Sequence, residues 1–367
     1  MKATKPLLIF WLGALCGQPV VGLAVDQLPD GRVPPPVVDS GTSVFESGLV
    51  TPPVVDPVAD AAATGTTVAD PANEPLAWLD RIAQASQRLN YIGTFSYQTG
   101  RRLETSRIVH RYADGEESER LEVLDGSPRE VVRKGGEVRC LLPAQRTVIV
   151  SRVGTRGSFP GRLMQSYAGL AGNYNVRLGE AGRVAAHEAR KVVLEPRDGL
   201  RFGHVLWAEV QSGLLLKSQV LDAGGGVVEQ FAFSDVRIGG DVGDELLVAQ
   251  AKPQEDWSVL DMGDGGTERA EDGKRIDDPL PGFVLVSRVH HHNGGTVQMV
   301  FSDGLAAISV FIEQAEAGAE ARGGFPGGGA VHAFERIVDG KRITVLGEVP
   351  PRAAQQAAEA MDAAVRK

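Results

Sequence analysis

The chain has 367 residues and a formal net charge of −9. That balance argues against a nucleic-acid binder, because phosphate contacts need clustered Lys and Arg. The length suggests two domains, and only 2 cysteines occur, which excludes a disulfide framework as the source of stability.

Residues 1–24 read as a signal peptide. Lys2 and Lys5 precede an apolar run from Pro6 to Cys16, and Gly22 and Ala24 hold the minus-three and minus-one positions of a cleavage site after Ala24. The run is shorter than the roughly 20 residues a membrane span needs. Leu15, not a small residue, precedes Cys16, which disfavours lipidation. Cleavage leaves Cys140 as the remaining thiol, expected as a small buried hydrophobe, with pairing to a second chain as the alternative.

Residues 25–74 are rich in Pro, Val, Asp, Ala and Thr, and Phe45 is the only aromatic among them. Such a segment buries too little apolar surface to offset its ordering entropy, so a disordered, partly extended spacer is expected.

Order is expected from residue 75. Pro75 suits the first turn of a helix, and Leu79, Ile82, Ala83 and Leu89 recur at helical spacing over 75–89, flanked by Trp78. From Tyr91 the period becomes two, with Tyr91, Gly93, Phe95 and Tyr97 on one face. Asp125-Gly126 and Gly135-Gly136 are hairpin signals, so strands at 118–124, 129–134 and 137–142 form a meander, and 146–152 adds another. Residues 155–175 break the pattern with Phe159, Leu163 and Met164 among glycines, the composition of a lid or an insert with a short helix. Strands resume at 188–195, 202–210, 214–222 and 227–237, closing a large domain over 75–240. Residues 241–278 are polar, with Trp257 as the one large anchor, and read as a linker. A small domain over 279–367 follows. Its strands lie near 282–289, 296–302, 307–313, 331–337 and 342–348, and Pro350-Pro351 opens a helix with Ala354, Ala357, Ala358, Met361 and Val365 on one stripe.

The chain carries no G-x-S-x-G, H-E-x-x-H or G-x-x-x-x-G-K-[ST] motif. A non-enzymatic protein without a cofactor is therefore expected. The glycine-rich stretch from Gly323 to Gly329 lacks the Lys and Ser/Thr of a phosphate loop and reads as a flexible loop. His290, His291 and His292 are adjacent, but strand neighbours point to opposite faces and no matching Cys or carboxylate cluster accompanies them, so no metal site is expected. Asp303-Gly304 reads as a turn after Phe301-Ser302. Arg101, Arg102, Arg129, Arg133 and Arg139 read as solvated charges, with a docking patch of a few of them for an acidic or phosphorylated partner as the alternative. Phe95, Phe159, Leu163, Met164 and Trp207 have two readings: ordinary core, or the lining of an apolar cavity for a lipid chain, since a bent, unclosed sheet needs something in its concavity.

Several stretches together carry a resemblance. They run from Trp78 to Ala85, Leu89 to Phe95, Glu119 to Glu130, Asp198 to Trp207, Gly213 to Lys217, Phe301 to Glu313 and Val345 to Pro350. They resemble the RseB/MucB family of periplasmic regulators of sigma-E (AlgU-type) factors, over most of residues 76–365 and in the family's order in both domains. The Pro-rich tail at 25–74 and the histidine run depart from the family's pattern.

The resemblance implies a mainly β (α+β) fold: a large unclosed antiparallel β-barrel with helices on its concave side, similar to LolA and LppX, plus a smaller antiparallel sheet-and-helix domain. It implies a periplasmic protein that binds the periplasmic region of a membrane anti-sigma factor of the RseA/MucA type and shields it from regulated proteolysis. Sigma-E activity would thereby be restrained. Lipopolysaccharide or lipoprotein acyl chains would be the release signal. A periplasmic lipid or lipoprotein carrier is the alternative. Trp257 and Phe311 are candidate contacts for the anti-sigma factor, with core packing as their other reading. Pairing of two copies stays open.

Overall fold

The computed structural model describes residues 74–152, 170–261, 267–268, 278–291 and 295–362. The signal peptide, the spacer up to residue 73 and residues 155–169 of the lid, with Phe159, Leu163 and Met164, lie outside the described residues. Helix α1 (Glu74–Arg88) precedes strands β1 (Tyr91–Thr99), β2 (Arg102–Ala113), β3 (Glu116–Val123), β4 (Glu130–Lys134), β5 (Glu137–Leu142) and β6 (Thr147–Ser151). Then come α2 (Leu170–Asn173), β7 (Tyr174–Leu178), β8 (Gly182–Val184), β9 (His187–Pro196), β10 (Gly203–Glu209), β11 (Leu215–Leu221), β12 (Val227–Ile238), α3 (Asp244–Leu247) and β13 (Ser258–Asp261). The last part holds β14 (Thr267–Glu268), β15 (Val284–His291), β16 (Thr296–Ser302), β17 (Ala307–Gln314), β18 (Gly323–Gly328), β19 (Val331–Val338), β20 (Lys341–Gly347) and α4 (Pro351–Ala360).

The first thirteen strands form one sheet in the order β13-β6-β5-β4-β3-β2-β1-β12-β11-β10-β9-β7, with β8 also on β9. Its end strands do not pair, so the sheet stays unclosed. Every pairing is antiparallel except β13 on β6. The remaining strands form a second, antiparallel sheet, β14-β15-β16-β17-β20-β19-β18. The fold is thus mainly β, a large unclosed sheet plus a smaller sheet with a helix, as the sequence leads one to expect. None of the described helices is long and apolar enough to cross a membrane.

Local chemistry explains the strand breaks. Gly135-Gly136, Asp114-Gly115 and Asp339-Gly340 each put both residues at positive φ. Two-residue hairpins need that conformation because its twist matches the strands. Helix α1 buries Trp78, Leu79 and Ile82 against Leu194, Leu206 and Leu215. The Arg81 guanidinium donates to the Val210 and Gln211 carbonyls at 3.0 and 2.9 Å, which fixes the helix on the β10–β11 turn. Gly213 in that turn has φ +80, and a side chain there would press on the Arg81 backbone.

Directly paired residues share a face of a sheet. The register runs from Phe231 through Ser218 and Leu206 to Val192. Helix α1 therefore covers the same face that holds the aromatic core of Tyr91, Phe95, Phe231 and Phe233. Cys140 lies inside that core, 2% exposed. In the small sheet, α4 sinks Ala353, Ala354, Ala357 and Ala358 against a core that includes Phe283, Phe301, Ile308 and Val345.

Three local expectations change. The glycine-rich stretch expected as a flexible loop is strand β18, because β19 pairs with it from Gly323↔Glu335 to Gly328↔Val331 and supplies the ladder that its own propensity does not. The stretch read as a linker lends β13 to the large sheet. Arg129 is buried, not solvated. It donates to Glu104 at 2.8 Å. Arg101, Arg102 and Arg139 are exposed as expected.

Candidate functional site

The described residues form one compact unit, and the two sheets meet along a polar seam. Its centre is Arg201, in the β9–β10 connection, and Asp303, in the β16–β17 turn. The Arg201 Nε donates to Asp303 Oδ2 at 2.6 Å, and both side chains are fully buried. Two local features hold Asp303 in place. Its Oδ1 accepts from the backbone N–H groups of Leu305 and Ala306 at 2.9 and 2.8 Å, as an Asx turn does. Its Oδ2 also accepts from the Tyr174 hydroxyl at 3.4 Å. Arg201 is held equally firmly: it donates to Asp198 and to the Pro281 carbonyl, and its guanidinium lies 5.0 Å over the Phe283 ring. Burial, with Asp303 close by, pushes the Tyr174 hydroxyl far above its ordinary value, so it stays a donor.

A second anchor lies along the same seam. Glu229 on β12 accepts from the Tyr97 hydroxyl at 2.8 Å and from the Ala330 backbone N–H at 2.8 Å. Gly329, with φ +55, sits so close to Thr99 and Glu229 that no side chain fits there. The tip of the β18–β19 hairpin is thereby seated on the ends of β1 and β12. Between the anchors, Phe202 packs on His332 at 6.1 Å. His204 faces Glu348; burial holds its imidazole down to about 4 despite that carboxylate. Such a seam holds two sheets in fixed relation. It offers neither a nucleophile–base pair nor a general acid beside a cleft.

The residues expected to line a cavity divide. Phe95 is 4% exposed and packs on Phe231 and Phe233 at 4.8 and 5.9 Å between ring centres. Trp207 is half-buried at the margin of the same cluster, between the ammonium groups of Lys191 and Lys217 at 5.5 and 4.7 Å. In register Trp207 lines up with Lys217, Ala232 and Ser96, so it lies on the face of the sheet opposite to Phe95. A pocket of about 280 Å³ lies elsewhere, lined by Arg111, Ser118, Arg133, Lys134, Asp244, Leu247 and Val248. Trp257 packs on Leu141, Val148 and Val150 of the large sheet. Phe311 is on the small sheet, half-buried, in register with Gln298 and Thr344. Sequence reading took Asp303 for a turn and missed its partner Arg201. The available signal was that both residues fall in the stretches that carry the family resemblance.

Two family models match in chain order, the MucB/RseB N-terminal domain over residues 74–251 and the MucB/RseB C-terminal domain over 268–362. The sigma factor AlgU regulatory protein MucB of Pseudomonas aeruginosa is 31% identical, over 77% of this chain and 88% of that protein. The sigma-E factor regulatory protein RseB of Salmonella typhimurium is 26% identical, over 80% and 91%. The solved MucA/MucB complex of Pseudomonas aeruginosa contains a chain that matches with a TM-score of 0.60 and 29% identity, covering 78% of this chain and 97% of that one. The chain belongs to the MucB/RseB family and carries both of the family's domains in order.

Proposed function

We propose that this protein is a periplasmic negative regulator of a sigma-E (AlgU-type) factor. It binds the periplasmic region of a MucA/RseA-type anti-sigma factor and shields it from regulated proteolysis. The observation that carries this reading is the match to both family domains, together with a relative solved in complex with MucA. The buried seam supports it, because a non-enzymatic regulator needs two sheets held in one arrangement to present a composite surface. Trp257, packed against the large sheet, and Phe311, on the small one, are the proposed anti-sigma contacts. Phe95 and Trp207, with Phe159, Leu163 and Met164, are proposed to take the acyl chain of lipopolysaccharide or lipoprotein as the release signal. The test is calorimetry with the periplasmic segment of the cognate anti-sigma factor. Micromolar or tighter binding that protects the segment from the site-1 protease is expected; absence of binding at that concentration overturns the reading.

A further inference from the structure

Outside the seam, one cluster among the described residues joins three metal-ligating side chains. His110 on β2 and Glu119 on β3 are directly paired across the strands, and Glu117, two residues before Glu119, shares its face. One ligand atom from each lies within 4.8 Å of the others. The His110 ring is fully buried and stacked on Tyr91 at 4.8 Å. Its Nδ1 sits 2.7 Å from the Leu89 carbonyl oxygen. A carbonyl only accepts, so Nδ1 carries the hydrogen. The Nε2 lone pair of the neutral ring then points at the carboxylates. That nitrogen lies 3.3 Å from Glu117 Oε1, and among the described residues no group meets hydrogen-bond geometry with it.

We propose that His110, Glu117 and Glu119 form a site for a single divalent transition-metal ion of the zinc type. An imidazole donating its other N–H to a backbone carbonyl is the arrangement that orients metal-bound histidines. One nitrogen and two carboxylate oxygens suit zinc and not calcium or magnesium, which take oxygen ligands. Zinc holds such ligands at about 2.0–2.2 Å, so the three atoms must draw together by roughly 1 Å, within the reach of glutamate side chains. Entry is from the Glu117 side, where that carboxylate is 27% exposed. The cation that competes for the site is Arg133, 3.7 Å from Glu117 and paired with Glu119 in register. Its guanidinium would turn outward toward the solvent-facing pocket it lines.

The test uses the chelator-treated full chain, titrated with zinc alone by calorimetry and by thermal melting. Saturation at one ion per chain is expected, with a rise in Tm, since a ligand bound only by the folded state stabilises it. Glu117→Gln and Glu119→Gln should weaken zinc binding at least tenfold and abolish the Tm rise while circular dichroism stays unchanged. Glu117→Gln is the safer variant, because its side chain is part-exposed and the substitution keeps its shape. Replacing His290, His291 and His292 by Ala should leave the affinity unchanged. Equal zinc affinity in wild type and Glu117→Gln, or loss of binding only in the triple-histidine variant, overturns the proposal.

Discussion

Two residues of the seam carry predictions of their own. His204 has an ordinary value of 6.5 that drops to about 4 in the fold. Between those values the unfolded chain binds the proton and the folded chain does not. Stability therefore falls as pH drops from about 6.5 to about 4, by at most about 2–3 kcal/mol for a side chain that keeps some exposure. Chemical denaturation across this range should show that slope, and His204→Asn should flatten it. At Gly329 the backbone lies at φ +55 and a Cβ would collide with Thr99 and Glu229. Gly329→Ala should cost on the order of 2 kcal/mol or more, read from the shift in denaturation midpoint. The same substitution at Gly340, whose φ is +73 with nothing within 4 Å, should cost less, because strain acts there without collision.

At the level of elements, α4 is packed most tightly. Four of its alanines are fully buried, so only small side chains let its backbone approach the sheet. Ala357→Leu should destabilise by about 1–3 kcal/mol through overpacking, measurable as a lower Tm with secondary structure retained. This helix was legible, because its alanine stripe has a period no strand shares. So were α1 and the β4–β5 hairpin, marked by helical spacing and by Gly135-Gly136. The Asp114-Gly115 dipeptide carries the same hairpin signal and marks the β2–β3 turn. Strands β18 and β13 were not legible. Gly323–Gly328 has almost no side chains to pattern, and the four residues of β13 are all exposed, so neither shows alternation. The seam was half legible. Asp303 announces a turn through Asp-Gly, but the arginine it binds lies 102 residues away, and no local pattern encodes that distance.

For the whole molecule, Arg201 and Asp303 are the test of unity. Removing one partner of a fully buried ion pair costs about 3–5 kcal/mol, and Arg201 would keep the part-exposed Asp198 as its counter-charge, which places the cost at the low end. Asp303→Ala should carry that cost and also weaken anti-sigma binding, if the partner reads both sheets. Asp303→Ala combined with Arg201→Met should recover much of the stability, because no buried charge is then left and the Asp198 carboxylate is part-exposed to solvent. Calorimetry of the two variants, with binding measured on the folded fraction, separates these outcomes. The position of β1 has another consequence. It lies between β2, its immediate successor, and β12, and the Ser234 hydroxyl donates to the Thr94 carbonyl across 140 residues of chain. A chain that emerges N-terminus first can build the meander from β1 to β6 early. The hydrogen-bonding edge of β1 must then wait for β12 to emerge. Contacts of such separation are slow to form, and an open edge beside Phe95 and Tyr97 is a template for aggregation. Newly made copies should therefore depend on folding helpers most in the interval before β12 is available.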